Sequence, residues 1–158
     1  MNTLIELYDE RAIENVLAAD MFRPQRIVYL CPTEVAQNRE RQEQIGDFFR
    51  HRGWNPELIF VEASQYKVDR ILRQLLVISK KYPDCALDVT GGSDAELFAA
   101  GLFAAKANVR VFTYSRKKES VLQHLRSRVC RKSALQYYLF RKGILPHGRW
   151  NIAPRSGR

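Results

Sequence analysis

The chain has 158 residues, 46% hydrophobic and 27% charged, which suits one domain with a real core and a short appendage. No apolar run is long enough to span a membrane. The formal charge of +9 is unevenly placed: residues 1–115 carry 14 Lys/Arg against 16 Asp/Glu, whereas residues 116–158 carry 12 against Glu119 alone. A near-neutral globular part followed by a basic tail or linker is the expectation, with the boundary set at 1–125 and 126–158.

In chain order, Thr3 to Leu7 is an apolar-rich first strand. Asp9 is placed to cap a helix whose buried side is Ile13, Val16 and Leu17. That helix should stop before Phe22-Arg23-Pro24, since Pro24 disfavours helical backbone at Arg23. Arg26 to Cys31 is the second strand. Thr33 or Asn38 caps the next helix, with Ile45, Phe48 and Phe49 inward and Gly53 just past its end. Leu58 to Val61 is the third strand. Tyr66 to Lys81 keeps a helical period through Val68, Ile71, Leu72, Leu75 and Leu76, and Pro83 stops it.

Cys85 to Val89 is the fourth strand, and its Thr90-Gly91-Gly92-Ser93 turn is the most informative stretch. Ser93 and Glu96 have the spacing of a capping box, and the helix that follows to Ala107 is apolar nearly all round. Asn108 to Tyr114 is a fifth strand. Ser120 to Leu125 alternates and reads as a sixth strand in an antiparallel hairpin, with a short helix as the alternative. Leu135 to Arg141 has a helical cast, and 143–158 looks loop-like or disordered. The alternation of strand and helix predicts an α/β fold: a Rossmann-like, doubly wound, mostly parallel sheet of about six strands.

In such a sheet ligands bind beyond the carboxyl ends of the strands. The residues expected there are Tyr8, Asp9, Glu10 and Arg11, then Pro32 and Thr33, then Thr90, Gly91, Gly92, Ser93 and Asp94, and finally Arg116 and Lys117. Hydroxyls, backbone amides and cations on one rim suit a polyanion, and the glycine turn suits a phosphate. On that reading a side chain at Gly92 blocks the ligand and leaves the fold intact. A plain strand-to-helix turn is the competing explanation of the glycines.

Enzyme signatures are missing: there is no Walker P-loop and no nucleophile elbow. Catalytic residues are therefore unassigned. Cys31, Cys85 and Cys130 are scattered, as reduced thiols of a cytoplasmic protein would be, and Cys31 reads as a buried free cysteine rather than a nucleophile. His51, His124 and His147 lack metal-ligand spacing, so neither metal nor cofactor is expected. The acidic start at Glu6, Asp9 and Glu10 is unlike a signal peptide. Asp88, inside a strand, requires partners such as the amides of the turn, in a structural role.

Leu4-Ile5-Glu6-Leu7-Tyr8-Asp9, the Phe22-Arg23-Pro24 turn and above all Leu87-Asp88-Val89-Thr90-Gly91-Gly92 resemble the CARF family, over about Met1 to Leu125. More narrowly they resemble the N-terminal CARF domain of CARF–PD-(D/E)XK nuclease fusions of type III CRISPR systems. The resemblance implies a Rossmann-like domain that dimerises. It implies a cyclic oligoadenylate ligand, commonly cyclic tetra-adenylate, held by the loops after the first and fourth strands: Tyr8 to Arg11 and Thr90 to Asp94. The nuclease is not evident, since no Asp or Glu precedes a Lys by two residues. A stand-alone sensor and a fragment of a larger effector both remain open.

Three functions compete. The first is a homodimeric sensor of cyclic oligoadenylate. The second is a metal-independent ring nuclease that cleaves the same ligand, for which positioning and charge stabilisation suffice. The third is nucleic-acid binding through the basic tail, where Tyr137, Tyr138, Phe140 and Trp150 stand among the cations.

Overall fold

The computed structural model describes residues 1–115 and 120–125, with Ser115 and the final strand described by their backbone. The basic segment from residue 126, the helix expected at Leu135 to Arg141, and Arg116 and Lys117 lie outside the described residues. The elements are β1 (Thr3–Leu7), a 3-10 turn (Ala12–Asn15), α1 (Leu17–Phe22), β2 (Arg26–Cys31), α2 (Thr33–Ala36) and α3 (Arg39–His51). They continue with β3 (Glu57–Glu62), α4 (Val68–Lys81), β4 (Cys85–Asp88), α5 (Asp94–Ala107), β5 (Arg110–Ser115) and β6 (Ser120–Leu125).

One sheet runs in the order β3-β2-β1-β4-β5-β6. Its first five strands are parallel and β6 is antiparallel to β5, as the sequence predicts. Chain order reverses direction between β1 and β4. A crevice therefore opens beyond their carboxyl ends, where doubly wound sheets bind ligands. Ile5, Leu7, Val28, Leu30 and Leu87 point to the face covered by α4 and α5. Leu4, Tyr8, Ile27, Tyr29 and Ala86 point to the face covered by α1, α2 and α3. Burial on both faces explains why the strands read as apolar runs.

Local chemistry sets the helix ends. The Asn38 side chain accepts from the Arg41 amide at 3.1 Å to start α3, and Gly53, at φ +70°, follows its end. Thr33 is used separately, as the first residue of α2. Ser93 and Glu96 form the expected capping box of α5, and Asn108 closes it in the left-handed region at φ +57°. Arg23, at φ +45° before Pro24, ends α1.

The start of α1 departs from the sequence reading. Asp9 does not cap a helix. Its carboxylate turns back to accept from the Arg11 amide at 2.9 Å and from Arg11 Nε at 3.1 Å. The backbone of Asp9 is clamped at both ends by buried Asn15: the Asp9 N–H donates to Asn15 Oδ1 and Asn15 Nδ2 donates to the Asp9 carbonyl, each at 2.7 Å. Segment 8–15 is thereby closed into a loop, and α-helix begins only at Leu17.

Candidate functional site

The loops after β1 and β4 meet because their strands are neighbours, with Glu6 beside Asp88 in register. Their contact is close. A Cβ built on Gly91 would lie 2.8 Å from the Leu7 carbonyl oxygen and 2.7 Å from Asp9 Cβ. One on Gly92, whose φ is +95°, would lie 2.9 Å from Leu7 Cβ. The glycine pair is thus required by packing against β1. This corrects the expectation that a side chain at Gly92 would leave the fold intact: it would strain the backbone and press on Leu7 before any ligand arrived.

The turn's amides already face carboxylates of the protein. The Ser93 N–H donates to Glu96 Oε2 at 2.7 Å, and the Gly92 amide faces the Asp9 carboxylate. Partial burial would raise the Asp9 pKa, but hydrogen bonds and charge from Arg11, with the Gly92 amide, hold it below the ordinary value. Arg11 also pairs with buried Glu14 at 2.8 Å, while 60% of its side chain stays exposed. A guanidinium pinned by two carboxylates at the crevice is a preorganised donor for an anionic ligand, and Asp9 beside it is an acceptor for hydroxyl or amino groups.

Below this rim lies a buried polar network. Glu6 and Asp88 are each 1% exposed and sit within hydrogen-bonding reach of one another. Burial first, then the charge and hydrogen bond of Asp88, raise the Glu6 pKa well above its ordinary value. Asp88 is also raised by burial, against hydrogen bonds from Glu6 and Thr90. Two buried carboxyls in contact share a proton, because both cannot ionise away from water. Asp88 Oδ1 accepts from the Thr90 hydroxyl at 2.7 Å and from the Thr90 amide at 3.2 Å, and the Thr90 hydroxyl accepts from the Tyr114 amide at 2.7 Å. On the other side, the Tyr29 hydroxyl donates to the Asn15 carbonyl at 2.8 Å. The network therefore props both loops from beneath.

The remaining expected residues are placed as follows. Thr33 donates to Glu62 Oε1 at 2.8 Å, at the β2–β3 end of the rim. Pro32 occupies the N-cap position of α2 beside it. Thr90 is 6% exposed and its hydroxyl is engaged on both sides. Ser93 donates to the Gln65 carbonyl at 2.8 Å, tying the β4–α5 turn to the loop before α4. Asp94 and Glu10 are exposed at the rim. Cys31 is fully buried, and burial pushes its thiol up to about 12, as an inert core cysteine requires. Among the described residues no cluster has the make-up of a metal site.

Sequence reasoning missed two parts. One is Asn15, the clamp of the first loop. The other is a groove of about 880 Å³ between the Ala12–Asn15 turn and α3, walled by Tyr8, Val16, Ile45 and Phe48 and edged by Arg41 and Gln44. Nothing local to Asn15 marks its partners, the N–H and carbonyl of Asp9 six positions back. The groove joins segments 25 or more positions apart, and only the helical period of Arg41, Gln44, Ile45 and Phe48 hints at one shared face.

Fold and rim together define a Rossmann-like α/β domain whose β1 and β4 loops meet at the switch point, the place where doubly wound sheets bind ligands. No protein-family profile matches the chain, and no curated protein matches it in sequence. Solved structures do. Can2 from Sulfobacillus thermosulfidooxidans, in complex with cyclic tetra-adenylate, superposes with a TM-score of 0.67 at 20% identity, over 78% of this chain and 34% of that one. Protein VC1899 from Vibrio cholerae gives 0.61 at 11% identity, over 80% of this chain and 34% of that one. Enterococcus italicus Csm6, bound to cyclic hexa-2'-fluoro-hexa-dAMP, gives 0.54 at 16% identity, over 92% and 39%. At these identities the likeness establishes the shared fold, and the chain spans little more than a third of each of those proteins.

Proposed function

We propose that this chain is a binding module for a cyclic oligoadenylate second messenger, cyclic tetra-adenylate above all, working as a two-fold dimer in type III CRISPR defence. The observation that carries the reading is the convergence of the β1 and β4 loops at the switch point, in a fold shared with a protein solved in complex with cyclic tetra-adenylate. Arg11 offers a pinned guanidinium to the ligand's phosphates, and Asp9 an acceptor to its ribose hydroxyls or base amino groups. The glycine pair brings the two loops together. A ring with its own symmetry is best held across an isologous interface.

A thermal-shift screen tests this, since a ligand that binds only the folded state raises the apparent melting point by mass action. Cyclic tetra-adenylate should raise it, and linear tetra-adenylate and dinucleotides should do so far less. Equal shifts by linear and cyclic compounds, or none by either, would refute the reading. Chromatography of the same mixtures distinguishes a sensor, which returns the ring intact, from a ring nuclease, which returns linear products.

A further inference from the structure

We propose that the groove between the Ala12–Asn15 turn and α3 is a base pocket that seats one adenine of the bound ring, with Gln44 reading the edge of the base. The inference rests on the ligand class proposed above. At about 880 Å³ the groove falls within the range of small-ligand sites, roughly 300–1,000 Å³. Its walls are aromatic and aliphatic, from Tyr8 and Phe48 with Val16 and Ile45, which suits the face of a purine.

The edge of the groove is chemically unspent. Arg11, Arg26, Arg50, Arg52 and Arg73 each pair with a carboxylate. The side chains of Arg41 and Gln44 enter no such pair or hydrogen bond among the described residues, and both are exposed. On α3 they stand on the face of buried Ile45 and half-buried Phe48, at i, i+3, i+4 and i+7, so the helix aims them along the groove. A primary amide presents a donor and an acceptor side by side, which matches N7 and the 6-amino group of adenine. Guanine would set its O6 acceptor against the amide oxygen, so Gln44 favours adenine, and the Arg41 guanidinium is left to the ligand's phosphates.

Position links groove and rim. Tyr8 and Glu10 line the groove, and they flank Asp9 in the loop that carries Arg11. A phosphate at Arg11 and a base in the groove are therefore contacts that neighbouring parts of one nucleotide unit can make.

The test is affinity for cyclic tetra-adenylate and cyclic tetraguanylate, measured on the full chain for wild type, Gln44→Ala and Ala12→Trp. Both positions are exposed, and unchanged melting points confirm that the variants fold. Gln44→Ala should weaken cyclic tetra-adenylate at least tenfold and shrink its advantage over cyclic tetraguanylate. Ala12→Trp, which puts a bulky side chain into the groove where the base would sit, should weaken it a hundredfold or more. Arg11→Ala, run alongside, should weaken both rings by the same factor. If Gln44→Ala and Ala12→Trp bind cyclic tetra-adenylate as wild type does, the base pocket is refuted while the ligand class stands. If wild type binds no oligoadenylate, both fall together.

Discussion

Gly91 and Gly92 show how a motif residue acquires its meaning from what lies opposite it. The glycines hold the β4–α5 turn against the end of β1, where a Cβ at Gly91 meets the Leu7 carbonyl and nothing there yields cheaply. Gly91→Ala should therefore cost about 1–3 kcal/mol of stability, the usual penalty of overpacking, seen as a lower urea midpoint at unchanged slope. Equal stability of wild type and variant would show that the loops are not in contact.

Glu6 lends itself to a pH test. Its folded pKa is raised by burial and by Asp88, so between the ordinary glutamate range and that raised value the folded state holds more protons than the unfolded chain. The stability linked to Glu6 is then fully present below the unfolded pKa, about 4.3, and is lost as pH rises through the folded one. Glu6→Gln keeps a donor toward Asp88 and removes the titration. The variant should unfold at a higher urea concentration than wild type at pH 8, with the gap narrowing toward pH 4. A gap that widens on acidification would contradict the shared proton.

Among the elements, the loop closed by Asn15 is the piece that shapes the rim. Asn15→Ala leaves the Asp9 N–H and carbonyl without their partners. The expected cost is about 1–3 kcal/mol, with weaker binding of cyclic tetra-adenylate, read by melting point and titration. Loss of stability with full affinity would separate the clamp from the site. Helix α5 bears on the proposed dimer. It starts at the crevice and is apolar nearly all round, yet Leu102 is only half-buried and lies outside both core clusters. We propose this face as the contact between the two copies. Leu102→Lys should shift the mass measured by light scattering from two chains to one, and an unchanged dimer would place the interface elsewhere.

Elements with local signals were legible from the residues alone. Arg26–Cys31 is bounded by Pro24 and Pro32, the capping box of Ser93 and Glu96 is spelled out, and β6 alternates. The expected helix begins late, at Leu17 rather than just after Asp9, because a side-chain choice decided its start. A carboxylate that caps a helix equally well accepts from an arginine two residues on, and Asn15 tips the balance from six positions away. The rim residues followed from topology, since strand ends of a doubly wound sheet converge whatever their chemistry. Glu6 as the partner of Asp88, and Arg41 with Gln44 beside Tyr8, depend on strand register and helix packing across distant segments, which no window of sequence displays.

For the molecule as a whole, charge and fold divide the chain. Residues 1–115 are close to neutral, so the proposed polyanionic ligand would be held there by placed groups such as Arg11 rather than by bulk potential. The central claim is that two copies enclose one cyclic oligoadenylate at the β1–β4 crevice. Isothermal titration of the purified chain with cyclic tetra-adenylate measures this directly, reporting affinity and stoichiometry together. The account predicts saturable binding of one ring per two chains, lost on adding linear tetra-adenylate in its place. Saturation at one ring per chain would contradict the shared site, and no heat of binding at any ring concentration would contradict the ligand itself.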